Sequence, residues 1–380
     1  MTGISHRPPL LAILFFIVPG WICLAQAGSG QTTLKYAERF SVSRGSGCTI
    51  VTVYPYGNDL SRKQEYCLLP AGSPVPRNTG IDERRIVRVP VTACVTMSTT
   101  YLSYLDLLER TGAVIGHDSL KAVCSPALRA RIAEGAVRET GGGSRTNTEL
   151  LLLMDPDVIF TYSVGLPEWD SEPVLARAGL PVVLTAESLE NDPLGRAEWI
   201  KFFALFFGPS AEADADRIFA GIEKEYLRLK AAAGREEDRP TVLLNNSWQG
   251  TWYLPGGEGY SAALIADAGG DYLWKDTRGA GSFPVGFETV IAMAGNADFW
   301  LNVTWDTSAQ ARAAEPRCVV FDAFSGGRVY NQNGAVTPEG GNALYETGAA
   351  RPDLVLADYI SILHPDVLPG HGLFFLRALR

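Results

Sequence analysis

The longest periodic pattern of apolar residues in the chain runs from Ser210 to Gly234. Apolar side chains recur there at steps of three and four residues, which places them on one face of an α-helix. The residues on this face are Ala215, Ile218, Phe219, Ile222, Tyr226 and Leu229. Ser210 can cap the helix and Gly234 can end it. A helix of this length spans roughly 35 Å, so it can connect two lobes.

Two segments that flank this helix share one local pattern. One surrounds Glu149 and the other surrounds Glu288, and each predicts a short helix, a turn and a buried strand. In each segment the glutamate lies near the start of the helix, and an aspartate, Asp157 or Asp298, directly precedes the strand. Two copies of one unit on either side of a helix predict a bilobed protein with a cleft between the lobes.

Apolar strands alternate with helical segments in residues 86–208 and again in residues 235–380. This alternation is typical of a parallel sheet covered by helices, so the predicted fold class is α/β. We place the N-terminal lobe at 86–208, the connecting helix at 209–234 and the C-terminal lobe at 235–380. Ligands of such sheets bind beyond the carboxyl ends of the strands, here near Ser98 and Tyr162.

Residues 28–85 predict a β-rich N-terminal extension. Runs of β-forming residues, Cys48–Tyr54 and Tyr66–Leu69, have Gly and Pro around them and predict a hairpin packed on the first lobe. Cys48 and Cys67 could pair across this hairpin. The five cysteines that follow the targeting segment are sparse and have no paired metal spacing, which argues against a disulfide scaffold and against a zinc site.

The first 27 residues have the features of a targeting segment. Arg7 supplies positive charge, Leu10–Val18 supply an apolar stretch, and the small residues around Ala27 fit a cleavage site. Bulky residues precede Cys23, which makes a poor lipoprotein signal. We therefore expect an exported protein that is cleaved after Ala27 and is soluble or at most tethered, with no later segment that crosses a bilayer.

Composition excludes several classes of protein. The chain has 380 residues, 46% of them apolar and 20% charged, which is an ordinary globular composition. Its formal net charge of −9 argues against a nucleic-acid partner, because phosphate binding needs a basic face. The four histidines do not form a ligand set, so we expect no directly bound metal ion.

Several motifs together resemble one known family. They are the two glutamate units with Pro156-Asp157 and Asp298, the Gly-rich stretch 255–257, residues 268–274 and residues 351–358. In this order they resemble the substrate-binding proteins of ABC importers for iron-siderophores, haem and vitamin B12. The resemblance covers the chain from Ile86 to the C terminus.

The resemblance implies two Rossmann-like lobes joined by a single long α-helix, with a shallow cleft for a small-molecule chelate. It implies a ferric siderophore, haem or cobalamin as ligand, no covalently bound cofactor, and a place in the periplasm or on the outer face of the membrane. It also implies that Glu149 and Glu288 dock on arginines of the membrane permease. The alternative is that each glutamate only stabilises its helix N-terminus. We expect the protein to be a monomer.

A large conjugated or aromatic ligand needs flat apolar walls with a few placed polar groups. The candidate ligand-binding residues are Ser98, Tyr162 and Trp169 of the first lobe and Trp248, Trp252, Tyr253 and Trp305 of the second. Trp248 and Trp252 follow a strand in a Gly- and Asn-rich loop, where core burial is harder to arrange. Each of these aromatic residues could instead belong to the core. Tyr162 could also ligate a haem iron, because tyrosinate is a known axial ligand.

Two other functions remain open at this point. An exported α/β hydrolase would need a Gly-x-Ser-x-Gly elbow after a strand with downstream Asp and His, and no segment fits that spacing. A stand-alone haem or corrinoid scavenger would share the cleft but would not need both glutamates. We therefore expect a binding protein rather than an enzyme, with no catalytic residues.

Overall fold

A computed structural model describes residues 34–45, 47–57, 59–75, 80–166 and 169–380. The predicted targeting segment lies outside these residues. The described chain forms a β-rich extension and two α/β lobes joined by one long helix, which confirms the predicted fold class. Within these ranges no helix is both long and apolar enough to cross a membrane.

The extension is a four-stranded sheet with the order β1-β2-β3-β4. Its strands are β1 (Phe40–Arg44), β2 (Thr49–Val53), β3 (Gln64–Pro70) and β4 (Ile86–Val89). Neighbouring strands are antiparallel except β3 and β4, which are parallel. The sequence predicts that the N-terminal lobe starts at Ile86, but β4 belongs to the extension. Pro90, which cannot donate to a strand ladder, separates β4 from the first strand of the lobe at Cys94.

Cys48 and Cys67 lie close together in this sheet as free thiols. Burial, and secondarily the neighbouring Cys48 thiol, raises the pKa of Cys67 to about 12. A thiol with this pKa is protonated and unreactive at neutral pH.

The N-terminal lobe has a five-stranded parallel sheet with the order β7-β6-β5-β8-β9. Its strands are β5 (Cys94–Thr96), β6 (Val114–His117), β7 (Arg138–Glu139), β8 (Val158–Thr161) and β9 (Val182–Leu184). Its helices are α1 (Thr99–Leu107), α2 (Pro126–Ala133), α3 (Thr148–Met154), α4 (Glu172–Arg177) and α5 (Pro193–Ala204). The central strands β5 and β8 are fully buried, as expected for a sheet covered on both faces.

The connecting helix α6 (Pro209–Ala233) has 25 residues, and its apolar face is buried. Pro209 occupies the first turn and Gly208 precedes it, so Ser210 is a helical residue rather than the cap. The buried face packs on α5 and on a helix of the C-terminal lobe, α12 (Pro352–Leu363). The connecting helix is therefore part of the core of both lobes.

The C-terminal lobe has a five-stranded sheet with the order β13-β10-β15-β16-β17, in which only β17 is antiparallel to its neighbour. A second, antiparallel sheet has the order β11-β12-β14. The strands are β10 (Thr241–Leu244), β11 (Ser247–Trp248), β12 (Thr251–Leu254), β13 (Asp271–Tyr272), β14 (Phe283–Val285), β15 (Phe299–Val303), β16 (Val329–Asn331) and β17 (Arg377–Ala378). The other helices are α7 (Tyr260–Asp267), α8 (Phe287–Ala294), α9 (Ser308–Ala314), α10 (Asp322–Ser325) and α11 (Thr347–Ala350).

A cluster of aromatic side chains joins the extension to the N-terminal lobe. The Phe40 ring of β1 lies 4.8 Å from Trp199 and 5.5 Å from Phe202, both on α5. Phe203 and Phe206 continue the cluster to Phe160 of β8, with ring centroids about 5 Å apart. Because these rings are buried in one core, the extension is an integral part of the lobe.

The two aspartates of the repeated pattern have the same structural role. Asp157 Oδ2 accepts hydrogen bonds from the backbone N–H groups of Thr92 and Ala93 and from the Thr92 hydroxyl, at 2.7–2.9 Å. Asp298 Oδ2 accepts from the N–H and hydroxyl of Thr241 at 2.8 and 2.7 Å. Each aspartate therefore fixes the start of the neighbouring central strand. Burial alone would raise the pKa of both carboxyls, but the hydrogen bonds outweigh burial and lower it.

We predict that Asp157→Ala and Asp298→Ala each lower the free energy of unfolding by roughly 0.5–1.5 kcal/mol, because partly exposed amides and hydroxyls at the strand starts lose their acceptor. Since both folded-state pKa values lie below the ordinary value of about 3.9, this stabilisation is complete above pH ~4 and is lost as the pH falls through the folded-state values. Urea unfolding at pH 7 and in acid measures both effects. The Asn variants at both positions are the controls, since an amide accepts a hydrogen bond without titrating. If the free energy of unfolding of the Asn variants fell in acid as much as that of the wild-type protein, this role would be contradicted.

Candidate binding cleft

Three adjoining hollows form a trough where the carboxyl ends of the N-lobe strands face the C-terminal lobe and the extension. We call them the N-lobe hollow, the extension hollow and the interlobe hollow, and their volumes are about 680, 420 and 510 Å³. The first two share Tyr162, and the last two share Gly57, Ser188 and Leu189. The trough is therefore continuous, and each hollow has the volume of a small-molecule site.

The N-lobe hollow contains two of the predicted aromatic residues, Tyr162 and Trp169, together with two carboxylates, Asp118 and Glu139. Burial raises the pKa of Asp118. Burial, together with the nearby Asp118 and Asp170, also raises the pKa of Tyr162, so its phenol is protonated in the ligand-free protein at neutral pH. The hollow thus combines an aromatic wall with acidic groups.

His117 supports this hollow from below. It ends β6 and is fully buried, with Nδ1 2.8 Å from the Thr96 hydroxyl and Nε2 3.1 Å from Asp118 Oδ1. Burial is the main cause of its lowered pKa, so the imidazole is neutral at pH 7. The structure therefore shows a buried, neutral histidine that is hydrogen-bonded through Nδ1, and whose Nε2 has no hydrogen-bond partner among the described residues.

A glycine loop closes the floor of the N-lobe hollow. Gly141 has φ +67°, and a Cβ atom there would lie 2.3 Å from the carbonyl oxygen of Arg145. A side chain at this position would displace the loop, since non-glycine residues are strained in this conformation. Gly141 therefore sets the path of residues 141–145 along the cleft.

The extension hollow lies between the N-terminal lobe and the loop that joins β2 to β3. The Arg62 guanidinium lies 4.0 Å from the centroid of the Tyr56 ring, and Gln64 Nε2 donates to the Tyr56 hydroxyl at 2.7 Å. Tyr162 and Leu189 face this loop from the lobe. This hollow therefore has aromatic rings on two sides and a cation at one of them.

The interlobe hollow is bounded by all three parts of the chain. Arg39 comes from the extension, Arg196 from α5 of the first lobe, and Tyr260 from α7 of the second. The Arg196 guanidinium lies 3.8 Å from the centroid of the Tyr260 ring, so the two lobes meet in a cation–π contact. Asn245 and Glu190 add polar groups to this wall.

The other predicted ligand residues lie outside the lining of these hollows. Ser98 caps α1, accepting from the Thr100 N–H at 3.4 Å. Trp248 and Tyr253 are on the small antiparallel sheet and are 64% and 43% exposed. Trp305 packs edge-on against a core tryptophan. The structure therefore brings together Tyr162 and Trp169 of the predicted set.

Trp252 requires a correction, because it is a core residue rather than a cleft residue. It is 1% exposed, its Nε1 donates to the Leu244 carbonyl at 2.9 Å, and its ring lies 5.4 Å from that of Trp300. The sequence stretch suggests a loop, but residues 251–254 form strand β12. Alternate side chains of a strand point to opposite faces, so Trp252 faces the core while Tyr253 faces solvent.

The two candidate docking glutamates occupy matched positions. Glu149 lies in the first turn of α3 and Glu288 in the first turn of α8, and both are exposed. The Glu288 side chain is 87% exposed, with the nearest cation, Arg317 Nη1, at 3.7 Å. Leu153 on α3 is also strongly exposed, one turn from Glu149. Each lobe therefore presents a solvated carboxylate at an equivalent place.

Sequence reasoning missed Arg39, Arg62 and Tyr56, because the extension has no motif that relates it to the cleft.

The three described histidines are all engaged without a serine partner: His117 as above, His364 with the Gly269 carbonyl and His371 with Asp358. Among the described residues no group of three or more His, Cys, Asp or Glu side chains could hold a metal ion. The described residues therefore include groups that can bind a ligand, but they include no hydrogen-bonded Ser-His pair of the kind that a hydrolase uses.

Two α/β lobes with a ligand-sized cleft between them, joined by one helix, define a solute-binding protein. A family model described as periplasmic binding protein matches residues 94–333, and the chain belongs to that family. This confirms the resemblance found in the sequence. The chain is a substrate-binding protein of the ABC-transporter type.

Individual proteins and solved structures are similar to this chain. An uncharacterized lipoprotein of Methanocaldococcus jannaschii is 29% identical over 335 residues, which cover 83% of this chain and 76% of the relative. A periplasmic heme-binding protein of Roseiflexus sp. RS-1 has a TM-score of 0.52 at 19% identity, covering 72% of this chain and 98% of its own. A protein of an ABC-type Fe3+-hydroxamate transport system from Saccharomonospora viridis has a TM-score of 0.55 at 14% identity, covering 72% and 94%. At these identities the two structures establish the fold alone.

We predict that Trp252→Ala lowers the free energy of unfolding by about 3–5 kcal/mol, because it removes a buried indole from the C-lobe core. Trp248→Ala, at an exposed position four residues earlier, is the matched control and should change stability by less than about 0.5 kcal/mol. Thermal and urea denaturation of the two variants measure the difference. Equal stability of the two variants would contradict the placement of Trp252.

Proposed function

We propose that this protein is exported and captures a metal chelate, namely a ferric siderophore, haem or a corrinoid, and delivers it to an ABC permease without chemical change. The observation that carries the proposal is the continuous trough, in which aromatic rings and charged groups from three parts of the chain face one space. Flat rings such as Tyr162 suit conjugated or aromatic chelates, and the polar groups fix their orientation.

Names of similar proteins support this ligand class. The Roseiflexus protein is a heme-binding protein, and the Saccharomonospora protein belongs to a ferric hydroxamate system. The Methanocaldococcus relative is named a lipoprotein, which supports export of this chain through its first 27 residues. Family and neighbours are binding proteins, which favours a binding function over the hydrolase alternative.

Glu149 and Glu288 are the proposed contacts with the permease. Both carboxylates are exposed and mark the same position in each lobe, so a partner with two correctly spaced arginines could hold both at once. Glu288 has Arg317 within 3.7 Å, so docking at this lobe exchanges a weak internal ion pair for an intermolecular one. A scavenger that acts alone would not need these two exposed glutamates.

We predict that the protein from Gly28 to Arg380 binds one of haem, cobalamin or a panel of ferric siderophores with saturable, sub-micromolar affinity. A visible-absorption and tryptophan-quenching titration measures this. Tyr162→Leu should weaken binding of that ligand about tenfold, because the ring lies between two hollows of the trough. Tyr253→Leu removes an equivalent ring outside the hollows and should leave the affinity unchanged. No binding across the panel would overturn the ligand class.

We predict that Glu149→Ala combined with Glu288→Ala abolishes uptake of the bound ligand by cells that carry the cognate permease, while the ligand affinity of the purified protein stays within about twofold. The control pair is Glu134→Ala with Glu237→Ala, which removes two other exposed carboxylates. Uptake of radiolabelled ligand and a binding titration separate the two effects. Normal uptake by the double variant, or loss of ligand affinity, would argue against docking through these residues.

A further inference from the structure

The N-terminal extension is fixed beside the cleft by two buried carboxylates. Glu198, fully buried on α5, accepts hydrogen bonds from the backbone N–H groups of residues 35, 36 and 37 at 2.8–3.1 Å. Glu190 accepts from the N–H groups of residues 38 and 39 at 2.9–3.1 Å. Five consecutive amides are therefore bound to the N-terminal lobe, so the position of the side chain of the last of them is well defined.

That side chain is Arg39, and it points to the interlobe hollow. It is 7% exposed, and its Nη1 donates to the Gly57 carbonyl at 2.6 Å. Gly57 lies in the loop between β2 and β3, which also carries Tyr56 and Arg62. Arg39 thus holds this loop against the trough, and the extension forms a third wall beside the two lobes.

Positive charge is concentrated at this end of the trough. The interlobe and extension hollows contain three guanidinium groups, those of Arg39, Arg62 and Arg196, and one carboxylate, that of Glu190. The carboxylate is already occupied by backbone amides and by Trp199 Nε1 at 2.9 Å. Arg196 Nε is buried and has no hydrogen-bond partner among the described residues. Arg196 Nη2 donates to the Ser188 and Glu190 carbonyls at 3.0 and 3.4 Å, and Arg39 Nη1 donates to Gly57. The other guanidinium N–H groups of this end are left for an anionic group.

The opposite end of the trough has a different charge. The N-lobe hollow contains Asp118 and Glu139 with Arg145. A ligand that spans the trough meets carboxylates at one end and guanidinium groups at the other. Such a charge gradient fixes the orientation of an asymmetric ligand.

We propose that the extension is part of the ligand site, and that Arg39, Arg62 and Arg196 form a subsite for carboxylate groups at one end of the chelate. This inference rests on the proposed function and narrows it to chelates with free carboxylates, such as haem with its propionates or ferric citrate. Arg39 and Arg62 lie before residue 94, outside the part of the chain that matches the family, so the family alone does not supply them. Guanidinium groups suit this task because they bind carboxylates bidentately.

The test compares charged and neutral probes on the full mature chain. Titrations use haem against its dimethyl ester, ferric citrate against neutral ferrioxamine, and metal-free citrate alone. Arg62→Gln is the principal variant, because Arg62 is exposed and its replacement should leave the fold intact. Arg39→Gln is the second, with its melting temperature checked by circular dichroism. Lys63→Gln is the matched control, since Lys63 is the next residue and pairs with Glu65 rather than with the trough.

We expect the wild-type protein to prefer the carboxylate form of each pair, and Arg62→Gln to weaken its binding roughly three- to tenfold. Lys63→Gln should bind as the wild type does. If a chelate bound all variants with equal affinity, or if the wild-type protein preferred the neutral form, the subsite would be overturned and the proposed function would remain intact. Binding of metal-free citrate that is lost in Arg62→Gln, with no chelate bound, would support the subsite and overturn the proposed function. No binding of any probe to the wild-type protein would overturn both.

Discussion

The hydrogen bonds from five consecutive backbone amides to Glu190 and Glu198 are the interaction on which the arrangement of the cleft depends. A buried carboxylate is costly unless its oxygens are satisfied, and here the chain 35–39 together with Lys201 and Trp199 supplies the donors. The bonds also supply acceptors to these amides, most of which are partly buried. They join the extension to α5 and to Glu190 just before it, near the place where α5 packs on α6. The third wall of the cleft is thus fixed to the element that also joins the lobes.

The lobes themselves are tied together at more than the connecting helix. Glu346, which precedes α11 in the second lobe, accepts from the N–H groups of Cys124 and Ser125 in the first, both at 2.6 Å. Burial raises the pKa of Glu346 to about 7. Arg129 of α2 also pairs with Glu339 across the same interface at 2.7 Å. Separation of the lobes would break these bonds, so the described arrangement resists opening on the side of α2.

Local patterns in the sequence were sufficient for the elements of the fold but not for the walls of the cleft. The period of apolar residues along α6 and the helix-turn-strand pattern around each glutamate depend on neighbours within a few turns, so they could be interpreted directly. The contact of Lys35 with Glu198 spans 163 residues and has no local signal. The prediction that Trp252 lines the cleft was wrong for a related reason. Its burial depends on β12 pairing with β14, a strand about thirty residues later. The role of Arg39 was equally hidden, since it is a charged residue directly before strand β1 and its environment is set by distant parts of the chain.

The topology also relates ligand binding to the proposed docking. A helix that leads back to the start of a parallel strand begins at the carboxyl edge of the sheet, where the ligand cleft of an α/β lobe lies. α3 leads into β8 and α8 leads into β15, so Glu149 and Glu288 both lie at this edge. A partner that contacts both glutamates would therefore lie across the mouth of the trough rather than behind a lobe. Docking and delivery then need no separate surface, since the contact that orients the binding protein also places the permease next to the ligand.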